Sequence, residues 1–127
     1  MDDRILLRSE NICVPAILNN TVAACDFRKR LPVTLSGMRS ADSYCFSTAI
    51  GCFDPEEKQT GWKNGDISIS GGRLRIYFGG EETSANCTGI MVIASVSEKD
   101  LHLIKSFSKN IRLKIEAAEQ NTDNEQK

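Results

Sequence analysis

The sequence contains no apolar run near the roughly 18 residues that a membrane-spanning helix requires, so no helical span is expected. Charge of one sign is also missing. Sixteen Lys and Arg face 17 Asp and Glu, so no net field draws the chain to nucleic acid, anionic lipid or a polyanionic substrate. The start, "MDDRILLRSEN", has neither the basic head nor the apolar middle of a secretory signal, and the expected compartment is the cytoplasm. Histidine occurs once, at His102, which leaves little room for a Cys-His pair, a triad or a histidine-rich metal site. The cysteines, Cys13, Cys25, Cys45, Cys52 and Cys87, are odd in number and widely spaced, which speaks for reduced thiols rather than a disulfide framework. The spacing of Cys45 and Cys52 is too wide for a zinc knuckle, and neither metal nor cofactor is expected.

What is present is strand pattern, turn residues and two short helical stretches. "RILLRSE" and "NICVPAILNN" read as an opening hairpin, with Pro15 marking an edge or a bulge because it lacks an N–H. In "NNTVAACDFRKRLP", Asn20 or Thr21 caps a helix that Pro32 stops. Ala23, Ala24, Phe27 and Leu31 share its buried face, and Asp26 and Arg30 are spaced to pair. "PVTLSG" and "SYCFSTAIG" follow as strands. Then "CFDPEEKQTGWKN" loses all periodicity and reads as a long exposed loop.

From Asp66 alternation returns. Ile67 and Ile69 point one way and Ser68 and Ser70 the other, Gly71-Gly72 supplies a tight turn, and Leu74, Ile76 and Phe78 point inward. "GIMVIASVS" reads as a central strand buried on both faces. Ser97 and Asp100 are spaced as a capping box for a second helix with Leu101, Ile104 and Phe107 on its buried stripe. "NIRLKIE" is a last strand with Ile111, Leu113 and Ile115 inward. Residues 117–127 lack an apolar anchor and are expected to be disordered. Many short strands with two short helices predict a mainly β domain over residues 4–116, closed or nearly closed into a barrel, because closure removes the edges.

The run "LNNTVAACDFRKRLPVTL", in which a helix leads straight into a Leu-Pro strand, is followed by "GWKNGDISIS", "GRLRIYFGG", an apolar strand and "SEKDLHLI". This order resembles the small bacterial and archaeal cyclophilin-like proteins over roughly residues 4–116. The resemblance implies a cyclophilin-like closed β-barrel and little about chemistry, since most such proteins have no assigned activity. Eukaryotic-type cyclophilins are prolyl isomerases, but the chain has no Phe-His-Arg segment and no Gln-Gly-Gly-Asp strand. Gly65-Asp66 alone matches part of the latter, so no isomerase residue is carried over to any position.

Candidate chemistry then rests on single residues. Arg73, Arg75 and Tyr77 share the outer face of the hairpin with Ser68 and Ser70, where a guanidinium, a phenol and hydroxyls can orient a carbonyl or carboxylate; the plain alternative is a solvated sheet face. Cys25, with Lys29 four residues on, is a candidate reactive thiol, but no base accompanies it. Trp62 either plugs a barrel end or anchors a ligand, and Asp54, Glu56 and Glu57 form an acidic loop cluster that usually does nothing special. The glycine pairs match no phosphate-binding loop, because no helix follows them. The expectation is a non-enzymatic binding module that takes a small molecule or short peptide in a groove between Arg75, Tyr77 and the loop bearing Phe53 and Trp62. The alternative is a prolyl isomerase with a rearranged site and Arg75 as amide donor. A third reading is pairing of two copies through the strand bearing Pro15, so that the chain is a monomer or a homodimer.

Overall fold

The alternation of the 65–80 stretch becomes a β-hairpin in a computed structural model, which describes residues 3–118. Among them the chain forms β1 (Arg4–Ser9), β2 (Ile12–Leu18), α1 (Val22–Lys29), β3 (Val33–Arg39), β4 (Ser43–Ser47), β5 (Asp66–Ser70), β6 (Arg73–Tyr77), β7 (Val92–Ser95), α2 (Leu101–Lys105) and β8 (Asn110–Ala117). The eight strands close into one barrel in the order β1-β2-β7-β5-β6-β4-β3-β8, with every pairing antiparallel. β8 lies between β3 and β1 and completes the ring, and the Arg8 guanidinium donates to Glu116 across that last seam.

Inward residues of neighbouring strands fill the barrel. Leu7, Val14, Tyr44, Leu74, Ile76 and Leu113 are fully buried there, as side chains at every second position of a half-buried strand must be. In the β5–β6 hairpin Ile67 faces Ile76 and Ile69 faces Leu74 inside, while Ser68 faces Arg75 and Ser70 faces Arg73 outside. Gly71 and Gly72 make the turn at φ of 57° and 82°, the left-handed region that glycine enters without a Cβ penalty. Phe78 lies beyond the end of β6, half-buried, with its edge toward Tyr44 at 5.8 Å.

Pro15 sits on β2 opposite Leu6 of β1, while β2 reaches β7 only at Ile17 and Leu18. Its missing N–H therefore falls where β2 has one strand neighbour, and α2 packs against β2. Three expectations are corrected. The apolar run around β7 is continuous because of a bulge rather than burial on both faces. Pairing with β5 steps from Ala94 to Val92, and the extra residue lets Met91, Ile93 and Ala94 all be buried. The Ser97–Asp100 capping box does not form: the segment opens as a 3₁₀ turn over Glu98–Asp100 and the Ser97 side chain makes no cap bond. Finally, Ala117 is still paired with Ile5 in β8, so ordered structure extends past residue 116; the rest of the expected tail lies outside the described residues. No helix among the described residues is long and apolar enough to cross a membrane.

Candidate functional site

One mouth of the barrel is left open, and the sequence around α1 explains why. Thr21 caps the helix by accepting from the Ala24 N–H at 3.1 Å, and Asn19 Oδ1 in turn accepts from the Thr21 N–H at 3.1 Å and from its hydroxyl at 2.7 Å. This fixes the helix so that Ala23, Ala24 and Phe27 face the core. Ala23 is too small to fill the space in front of it. Ile69 and Met91, both buried, form the floor with Ala23 beneath a cavity of ≈ 310 Å³.

Two loops build its walls. Arg30, at the end of α1, donates from Nη1 to the Ala49 carbonyl at 3.0 Å and pairs with Asp26 at 3.5 Å, while it lies over the Phe27 ring at 5.3 Å. The 48–53 loop passes so close to this pair that a Cβ on Gly51 would lie 2.2 Å from Asp26 Oδ2; only glycine fits the approach as it stands. Farther on, Asp54 caps the 3₁₀ turn Pro55–Glu57 through the Glu56 N–H at 3.0 Å, and Glu57 accepts from the Val22 N–H at 2.9 Å, which ties the loop to the start of α1. The acidic cluster thus has a structural use. Phe53 and Lys58 then project at the rim, the ammonium 4.8 Å from the ring centroid. The hairpin tip, Ser70, Gly71 and Gly72, closes the last side, held by the Thr48 N–H donating to the Gly72 carbonyl at 2.9 Å. Among the described residues, the charged ones lining the cavity are Arg30 and Lys58, and no carboxylate does.

The structure separates the seven residues expected to form a groove. Phe53 and Ser70 line the mouth cavity. Trp62, Tyr77 and Ser68 form a packed cluster on the outer face of the hairpin. The indole stacks on the phenol at 4.1 Å and 15°, its Nε1–H donates to the Gly79 carbonyl at 2.9 Å, and Ser68 Oγ lies 3.4 Å from the Tyr77 hydroxyl. Tyr77 and Ser68 are buried, and Trp62 covers the Tyr77 ring on the outer face. Arg73 and Arg75 are exposed and do not line this cavity; Arg73 lies 4.0 Å from Cys45 Sγ. Ala23, Arg30, Cys52, Lys58 and Met91 were not expected at a site. The available signals were the Asp26–Arg30 spacing and a glycine followed by Cys52 and Phe53 in the aperiodic loop.

Cys25 is exposed beside a smaller cavity of ≈ 220 Å³ with Asn19 and Arg28, the latter paired with Asp3 at 3.1 Å. The sole imidazole, His102, is on α2 and exposed. The thiol that reaches the mouth cavity is Cys52.

Asp66, at the start of β5, is buried and accepts from the Lys63 N–H at 2.9 Å. Burial raises its pKa above the ordinary 3.8, with Lys63 opposing through its backbone N–H and its charge and Glu81 adding to the rise. The folded chain then binds a proton more tightly than the unfolded one, so the Asp66 contribution to stability falls as pH rises from 3.8 through the raised value and stays unfavourable above it. Asp66→Asn keeps an acceptor for Lys63 and removes the charge. It is expected to raise the melting temperature at neutral pH, with the gain over wild type vanishing as pH falls to 3.8. A gain that grows on acidification would contradict this assignment; paired thermal melts across pH measure it.

A family model described as "Cyclophilin-like family" matches residues 7–116. No curated protein sequence matches the chain. Among solved structures, McbB in complex with tryptophan superposes with a TM-score of 0.64 at 14% identity, over 94% of this chain and 46% of McbB, so the chain spans less than half of that protein. The solution structure of the hypothetical protein AF2241 from Archaeoglobus fulgidus gives 0.62 at 16% identity, over 92% of this chain and 95% of that one. Both likenesses are of fold.

Proposed function

The chain belongs to the cyclophilin-like family, and we propose that it is a binding module that takes a small molecule in the open mouth of its barrel. The observation that carries this reading is the ≈ 310 Å³ cavity with its apolar floor and few polar groups at the rim. That volume stands at the lower end of the roughly 300–1,000 Å³ typical of ligand pockets, which suits a small molecule or a single side chain of a peptide rather than a long segment. The structural neighbour McbB was solved with tryptophan, so a protein with a domain of this fold holds a small molecule. The outer hairpin face offers less: Trp62 occupies the surface above Tyr77, and Arg75 lines neither the mouth cavity nor the smaller cavity beside Cys25. An isomerase would need an arginine free to donate to a twisting amide next to an apolar pocket. Arg30 borders the pocket, but its donors already serve Asp26 and the Ala49 carbonyl.

Screening a fragment set by amide chemical shifts tests the reading. Ligands are expected to shift Gly51, Gly71 and Gly72, and Cys52→Trp, which fills the rim without touching the buried floor, is expected to weaken them roughly tenfold with little change in melting temperature. Ligands that shift the Arg75–Tyr77 strand instead, or that ignore Cys52→Trp, would move the site elsewhere.

A further inference from the structure

We infer that the mouth cavity selects a small anion with a flat apolar body, a conclusion that rests on the binding reading above and adds the chemical class of the ligand. Charge is the first argument. Among the described residues the lining carries two cations, Arg30, which is paired with Asp26, and Lys58, and no carboxylate. Of the acidic residues that precede Lys58, Asp54 accepts from the Glu56 N–H and Glu57 from the Val22 N–H, while Glu56 is exposed, and none of the three lines the cavity. Lys58 itself makes no ion pair among the described residues. Its ammonium is poised over the Phe53 ring at the rim, where it meets an entering ligand with its charge unspent.

Arg30 adds little to this. Its guanidinium pairs with Asp26 at 3.5 Å and donates to the Ala49 carbonyl at 3.0 Å, and its Nε is buried, so Lys58 supplies the charge that a ligand meets. The unpaired positive charge at the rim is therefore that of Lys58.

Shape is the second argument. Ala23, Ile69 and Met91 offer no hydrogen bond from their side chains at the floor, so the part of the ligand that goes deepest must be apolar. One wall carries the Phe53 ring, and the hairpin wall at Gly71 and Gly72 is bare backbone, with open space where a Gly71 side chain would be. A flat ring between an aromatic side chain and bare backbone, with its anionic group toward Lys58, uses every wall. A cationic ligand would face the Lys58 ammonium and be repelled.

Three probes with one ring and different charge separate the claims: phenylacetate, phenylacetamide and phenethylamine, titrated into the full chain while the amides of Gly51, Gly71 and Gly72 are followed. Phenylacetate is expected to bind about tenfold tighter than the amide, since charge-assisted hydrogen bonds are roughly twice as strong as neutral ones, and phenethylamine more weakly than either. Added salt is expected to narrow the difference. Lys58→Met, which keeps an unbranched chain over Phe53, is expected to bring phenylacetate down to the affinity of the amide and leave the amide unchanged. An amide or amine that binds as tightly as the acid, or an acid preference that survives Lys58→Met, overturns the anion inference and leaves pocket binding standing. If none of the three shifts the mouth amides at millimolar concentration, both readings fall.

Discussion

Gly65→Ala is expected to destabilise the protein by about 2–5 kcal/mol and to lower its melting temperature by roughly 10–20 °C. Gly65 has φ of +103°, outside the range an L-residue adopts at ease, and a Cβ there would lie 2.3 Å from the Val96 carbonyl oxygen. That oxygen belongs to backbone and has nowhere to go. The Gly65 N–H donates to the Tyr77 carbonyl at 2.6 Å, and its own carbonyl accepts from the Val96 N–H at 2.7 Å, so one residue stitches the start of β5 to β6 and to the end of β7. The strain of an unsuitable φ, about 1–2 kcal/mol, and the overlap, about 1–3 kcal/mol, therefore add. Gly71→Ala is the control. It too has a positive φ, 57°, but meets nothing within 4 Å, and only the conformational part of the cost should appear. Urea midpoints of the two variants decide the matter; equal midpoints would show that the Val96 contact relaxes at no cost.

The second large effect concerns Tyr44. It is fully buried, and its hydroxyl donates to the Phe107 carbonyl at 2.6 Å. Its ring meets Phe46 at 6.3 Å, Phe78 at 5.8 Å and Phe107 at 5.9 Å. Tyr44→Ala should cost about 3–5 kcal/mol, the range for emptying an aromatic site. Tyr44→Phe keeps the ring and orphans the carbonyl, for about 1–3 kcal/mol. Burial raises the phenol pKa, with Arg39 opposing, so the hydroxyl remains a donor well into the alkaline range. Denaturation midpoints again measure both. A Tyr44→Phe protein as stable as wild type would mean that the bond to Phe107 contributes nothing net.

The strands were legible in the sequence wherever period-two alternation was strict, as at Ile67, Ile69, Leu74 and Ile76 or at Ile111, Leu113 and Ile115, because one side of each strand meets the core and the other does not. The cap at Thr21 and the Asp26–Arg30 pair were legible too, since both are local. The bulge at β7 was not: a run of apolar residues looks the same whether a strand is covered on both faces or carries one residue too many. The site was harder still. Phe53 and Ser70 were picked out, but Arg75 and Tyr77 were grouped with them by face alone. Trp62, from a loop with no periodicity, settles on that face and splits the group. Lys58 and Met91, 33 positions apart, meet at the cavity only through the ring order of the strands, which the apolar pattern does not specify.

The position of β8 bears on how the molecule is made. During synthesis β1 and β3 leave the ribosome long before the strand that must lie between them, so each carries an unpaired edge while the chain grows. A ribosome that stalls before residue 110 presents two open templates on one nascent chain, where other chains can add a strand in place of β8. The last strand of the ring is thus also the point at which a vulnerable nascent chain becomes a closed molecule.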